Sequence, residues 1–166
     1  ALRKNMATGY KQASDPKPTP YEIVEAAPAG ALASTATAMA RLMMAHLNGG
    51  EYDGARILKP ETVKQMHSLN YSPAPGMNGF DLGFYQENRN GHQIIGHGGD
   101  TEVFHSDLHL ITDANVGIFM SFNSLGKEGA AGEVRVAIFR AFLDRYFPYA
   151  PPEEKTVANP SEDNAK

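Results

Sequence analysis

Between Phe80 and Phe122 apolar residues recur at alternate positions, and turn residues interrupt them at short intervals. Alternation of this kind has a period of two, which lets a strand bury one face in a sheet of short antiparallel strands. Phe80, Leu82 and Phe84 alternate with Asp81, Gly83 and Tyr85 before a turn at Asn88-Arg89-Asn90-Gly91. Ile94-Ile95 open a second strand, and Phe104, Ser106, Leu108 and Leu110 share one face of a third. After Thr112-Asp113-Ala114-Asn115, the residues Val116, Ile118, Met120 and Phe122 line one face of a fourth. The pattern predicts consecutive antiparallel strands over Phe80–Gln86, His92–His97, Val103–Ile111 and Asn115–Phe122.

Helical signals bound these strands. Ser34 suits an N-cap, and Met39, Leu42, Met43 and Leu47 follow at helical spacing up to the stop Asn48-Gly49-Gly50. Pro60 suits the first turn of a short helix reaching Leu69, with Val63 and Met66 inward. Glu133 to Phe147 carries the stripe Val134, Ala137, Ile138, Ala141 and Phe142 before Pro148. A run of strands bounded by helices indicates an α+β class, an antiparallel sheet flanked by helices. Residues 1–30, with prolines at 16, 18, 20 and 28, read as an extended irregular segment. Residues 31–148 form the domain portion, and 149–166 read as a disordered tail or linker.

Composition removes several function classes. A net charge of −4 argues against a nucleic-acid surface, which needs clustered Lys and Arg. No apolar run reaches the length of a membrane span. Without cysteine there is no disulfide, thiolate metal site or cysteine nucleophile. The start at Ala1-Leu2-Arg3-Lys4-Asn5 carries neither an initiator Met nor a signal-peptide core, so the chain is expected to begin inside a longer protein.

The segment with most chemistry is His97-Gly98-Gly99-Asp100. Two glycines at a strand end bare the backbone, so a substrate can lie against main-chain N–H and C=O groups. A histidine beside them adds a donor that changes charge near neutral pH. It is one of several ordered segments. Pro28-Ala29-Gly30-Ala31-Leu32-Ala33-Ser34-Thr35-Ala36, Met39-Ala40-Arg41-Leu42 and Leu47-Asn48-Gly49-Gly50 come first. Ile57-Leu58-Lys59-Pro60-Glu61-Thr62-Val63 with Met66, Leu82-Gly83-Phe84, His97-Gly98-Gly99 and Ser121-Phe122-Asn123-Ser124 follow.

In that order and spacing they resemble the C-terminal half of the serine β-lactamase-like hydrolases, a superfamily that includes class C β-lactamases, D-amino-acid peptidases, penicillin-binding proteins and esterases. The resemblance spans Ala27 to Phe147 and implies the C-terminal portion of a β-lactamase/transpeptidase-like fold. It also implies acyl transfer without a cofactor, a small-molecule or peptide substrate, and a periplasmic or extracellular location. Such enzymes use a helical Ser-x-x-Lys, a Tyr-x-Asn or Ser-x-Asn loop, and a Lys-Thr-Gly or His-x-Gly strand. By resemblance His97-Gly98-Gly99 is the third element. His97 then stands for the lysine, Gly98 and Gly99 border the substrate, and the backbone N–H of Asp100 completes the oxyanion hole. A histidine in place of the lysine favours ester or peptide substrates over β-lactams.

The other two elements are missing from the chain. Ser14-Asp15-Pro16-Lys17 cannot be helical beside Pro16 and Pro18, and Ser124 of Ser124-Leu125-Gly126-Lys127 reads as a cap or turn residue. No Tyr-x-Asn occurs, and Ser68-Leu69-Asn70 and Ser121-Phe122-Asn123 match Ser-x-Asn by chance. The family's acidic residues after Ser-Thr-Ala are Thr37 and Ala38 here, its glycine before Phe104 is Val103, and a small residue after it is His105. The leading reading is therefore a serine hydrolase whose nucleophile lies upstream of Ala1, in the N-terminal half of the same parent, with the chain inactive alone. A non-catalytic binding module on the same scaffold is the alternative. His105, Asp107 and His109 alternate and could face a metal, but a polar, solvent-facing side of the strand explains them as well, and no metal site is assigned. His46 and His67 read as helix-surface residues.

Overall fold

Four strands pair in sequence order, each antiparallel to the next: β3 (Tyr85–Gln86), β4 (Ile94–Asp100), β5 (His105–Ile111) and β6 (Val116–Phe122). This is a computed structural model, and it describes residues 5–151. Ahead of the sheet come α1 (Ala36–Leu47), a hairpin of β1 (Glu51–Tyr52) and β2 (Ala55–Arg56), and α2 (Pro60–Met66). After it comes α3 (Ala131–Tyr146). The arrangement is the expected α+β one, although several boundaries move.

The first strand shrinks to two residues, because Asp81-Leu82-Gly83-Phe84 is a turn. Asp81 N–H donates to the Phe84 carbonyl at 2.9 Å, and Gly83 sits at φ +83°, which extended backbone does not allow. The turn inverts the alternation that predicts a strand, burying Asp81 and leaving Phe80 57% exposed. The β1–β2 hairpin leaves no alternation in the sequence, because its strands are only two residues long. Its signal was Asp53-Gly54, both at positive φ (52° and 74°), as a type I′ turn requires. The hydroxyl that caps α1 is that of Thr35, accepting from Ala38 N–H at 3.1 Å, one position after the expected Ser34. Thr35→Ala is expected to cost about 1 kcal/mol, with Ser34→Ala near neutral, in urea unfolding.

Both faces of the sheet are covered. On one face Met43 of α1 packs with Ile95, Leu108 and Leu110. On the other, Phe139 and Leu143 of α3 pack with Ile94 and Ile111, flanked by Val116, Ile118 and Met120. The buried stripe of α3 is thus Ala131, Arg135, Phe139 and Leu143, rotated from the expected one. Val134 (41%) and Ile138 (45%) are left exposed. The irregular N-terminal segment is tied to the end of β6, since Tyr10 N–H donates to the Asn123 carbonyl and the Asn123 side chain donates to Thr8. Of the tail expected over 149–166, residues 152–166 lie outside the described residues.

Candidate functional site

Strand β4 runs through the whole of His97-Gly98-Gly99-Asp100 instead of ending at His97. His97 pairs with Leu108, Gly98 with Asp107, Gly99 with Ser106 and Asp100 with His105. An antiparallel ladder turns successive N–H groups to opposite neighbours. Thr101 N–H donates to Phe104 on the β5 side, and the Ile94 carbonyl accepts from Glu87 N–H on the β3 side. Odd-numbered residues of β4 therefore bond to β5, while Gly98 and Asp100 turn their N–H groups to the opposite edge. There β3 pairs only with Ile95 and Gly96. Among the described residues no strand covers the edge beyond them, so the Asp100 N–H lies on an open strand edge.

The two faces of this edge differ. His97 is exposed on the α1 side, its ring centroid 5.9 Å from that of Tyr85. A Cβ on Gly99 would meet nothing within 4 Å, so this side stays open. On the α3 side a Cβ on Gly98 would come 2.6 Å from Asp107 Oδ1 and 2.9 Å from the Tyr85 hydroxyl. The room left at Gly98 thus holds protein side chains, whereas that at Gly99 is empty.

Beneath Gly98 lies a polar network, buried at His105, His109 and Arg135 and exposed at Asp100. Arg135 reaches from α3 and donates to Asp100 Oδ1 (2.9 Å), Asp107 Oδ1 (3.1 Å) and the Ser106 carbonyl (3.1 Å). His105 Nδ1 sits 2.7 Å from Asp100 Oδ1, and His109 Nδ1 sits 2.6 Å from Glu87 Oε2. Phe139 stacks on the His109 ring at 3.7 Å. Burial pushes Asp100 up, but the hydrogen bonds from His105 and Arg135 outweigh it and hold its carboxyl below the usual range. Asp107 is raised by burial, against the pull of Arg135. Burial and the nearby Glu87 and Asp107 carboxylates push the Tyr85 phenol up to about 12, so at neutral pH it is a neutral hydroxyl facing the Gly98 N–H.

His105 and His109 are therefore buried under α3, not solvent-facing. No group of three or more His, Asp or Glu among the described residues is placed to hold a metal. Sequence reasoning missed Tyr85, Glu87 and Arg135. The signal for Arg135 was a lone cation at helical spacing between Ala131 and Phe139, opposite a strand of alternating His and Asp.

The Ser-x-x-Lys matches do not form a site. Residues 14–17 are not helical, and the Ser124 hydroxyl accepts from Gly126 N–H at 3.0 Å as a turn residue. Ser68 caps the Lys64 carbonyl, and Ser121 bonds to Ser106. His46 is buried rather than on the helix surface, its Nδ1 3.2 Å from His67 Nε2, with Phe84 edge-on to both rings. Burial and His46 together lower His67 from 6.5 to about 4. A histidine kept neutral in the fold takes up its proton more readily when unfolded. The contribution of His67 is thus complete above pH 6.5 and is lost as pH drops towards 4, a shift worth about 3 kcal/mol that screening at the partly exposed ring reduces to about 2 kcal/mol. Urea midpoints from pH 7 to 4 check this, and His67→Leu should flatten the profile.

No curated protein matches the chain. Residues 1–141 match the beta-lactamase family. By that match, and by an α+β arrangement that is a portion of that family's fold, the chain belongs to the beta-lactamase family, within the serine β-lactamase-like superfamily.

Proposed function

We propose that the chain is the C-terminal portion of a serine hydrolase that transfers acyl groups, with the Ser-x-x-Lys nucleophile and the Tyr-x-Asn upstream of Ala1. The observation that carries the reading is the open β4 edge. It presents the Asp100 N–H beside an exposed His97 and an unobstructed Gly99. When a serine attacks a carbonyl, the oxygen becomes an oxyanion, and a fixed N–H donor at that point stabilises it without reorganising. In this reading Asp100 N–H is that donor, His97 orients and polarises the substrate, and Gly99 borders it. Esters or D-amino-acid peptides suit a histidine at this position better than β-lactams do. The N-terminal half of the parent would cover the exposed Val134 and Ile138 face of α3. A periplasmic or extracellular location goes with the reading, and cell fractionation tests it.

In the parent protein His97→Ala is expected to lower kcat on a small nitrophenyl ester by less than about 10²-fold, below the loss typical of an oxyanion donor. The fold should be unaffected, because the side chain is exposed. Full activity in both His97→Ala and Gly98→Val removes this site assignment. A parent without an upstream helical Ser-x-x-Lys and a Tyr-x-Asn would be a binding module instead.

A further inference from the structure

We infer that Arg135 is a positioning residue for the oxyanion donor, acting through the Asp100 carboxylate. The inference rests on the function proposed above. The backbone of Asp100 ends β4 at an edge that no strand covers among the described residues, so the ladder restrains it from one side only. Its side chain supplies the second restraint. One carboxylate oxygen takes both His105 Nδ1 at 2.7 Å and Arg135 at 2.9 Å.

Arg135 is itself anchored twice on β5, to Asp107 and to the Ser106 carbonyl. A planar guanidinium holds several acceptors in a fixed fork, which a lysine ammonium cannot reproduce. Its side chain is 10% exposed, so its charge is matched by these acceptors and not by water. The additional bond to Asp100, whose side chain is 56% exposed, crosses to the residue whose N–H faces the open edge. The geometry ties the direction of that N–H to the packed helix behind the sheet. Asp100→Ala keeps the N–H but loses the tie, so the substitution is not mild.

The test uses the full-length parent protein and a nitrophenyl ester, with kcat and KM measured separately beside thermal unfolding. In folded Arg135→Met, kcat is expected to fall by about 10²-fold, the scale of an ångström-level misplacement, with KM changed by less than about threefold. Arg135→Lys should recover part of kcat. Asp107→Asn, which leaves the Asp100 contact in place, should lower the melting temperature more than kcat. Inhibition by an alkyl phosphonate, whose oxygen occupies the oxyanion position, should weaken in step with kcat/KM. A purely structural role would move the melting temperature without this split. If Arg135→Met does not fold, Arg135→Lys and Asp100→Asn decide by the same measurements. Wild-type kcat in the folded variants, while His97→Ala is impaired, overturns the inference and leaves the site reading intact. Full activity in His97→Ala and Gly98→Val removes the site reading itself.

Discussion

Gly98→Val is expected to lower kcat of the parent enzyme on a small ester by about 10²-fold or more, the largest loss of activity from any one substitution in β4. A Cβ there would lie 2.6 Å from Asp107 Oδ1 and 2.9 Å from the Tyr85 hydroxyl. Asp107 is held by Arg135, whereas the partly buried Tyr85 ring has more freedom to yield. A displaced Asp107 disturbs the Arg135 bonds that also hold Asp100, and a shift of β4 carries His97 and the Asp100 N–H with it. Gly99→Ala makes the comparison, because its Cβ meets no atom within 4 Å. It should leave stability unchanged, and any loss of activity then reports a substrate on the α1 side of the strand. Ester kinetics beside unfolding measurements on the two variants separate these effects. Full activity in a folded Gly98→Val would falsify the assignment of this edge to the site.

Phe139→Ala should carry the largest stability effect, about 3–5 kcal/mol in urea unfolding. Phe139 is 7% exposed, stacks on the His109 ring at 3.7 Å and closes the cluster of Ile94, Ile111 and Leu143. Truncation would remove apolar burial and expose the orphaned Nε2 side of a buried histidine to a cavity. The neighbouring Ile138→Ala, at 45% exposure, should change the stability of this chain by no more than about 0.5 kcal/mol. Equal losses at the two positions would contradict the observed orientation of α3.

The pair of positions also marks where sequence reasoning stopped. Helical periodicity located α3 to within two residues at each end, but α3 offers two candidate stripes. The pattern rule chose Val134, Ala137, Ile138, Ala141 and Phe142, the more apolar one. The helix buries Ala131, Arg135, Phe139 and Leu143 instead, and the sheet face below presents Asp107 and Asp100 to Arg135. No window within α3 contains that information.

Local rules determined the strand order, the antiparallel pairing and the helix spans to within a few residues, and singled out His97-Gly98-Gly99-Asp100 as the candidate site, because alternation, caps and turn residues act over a few positions. They misread Asp81–Phe84, where Gly83 could equally serve a strand or a turn. Tertiary structure alone decided which N–H groups face the open edge, since that depends on register with β3 and β5. It also decided that the His105, Asp107 and His109 face is buried, because a half-polar strand becomes an interior one only when a helix carrying a matching cation lies over it.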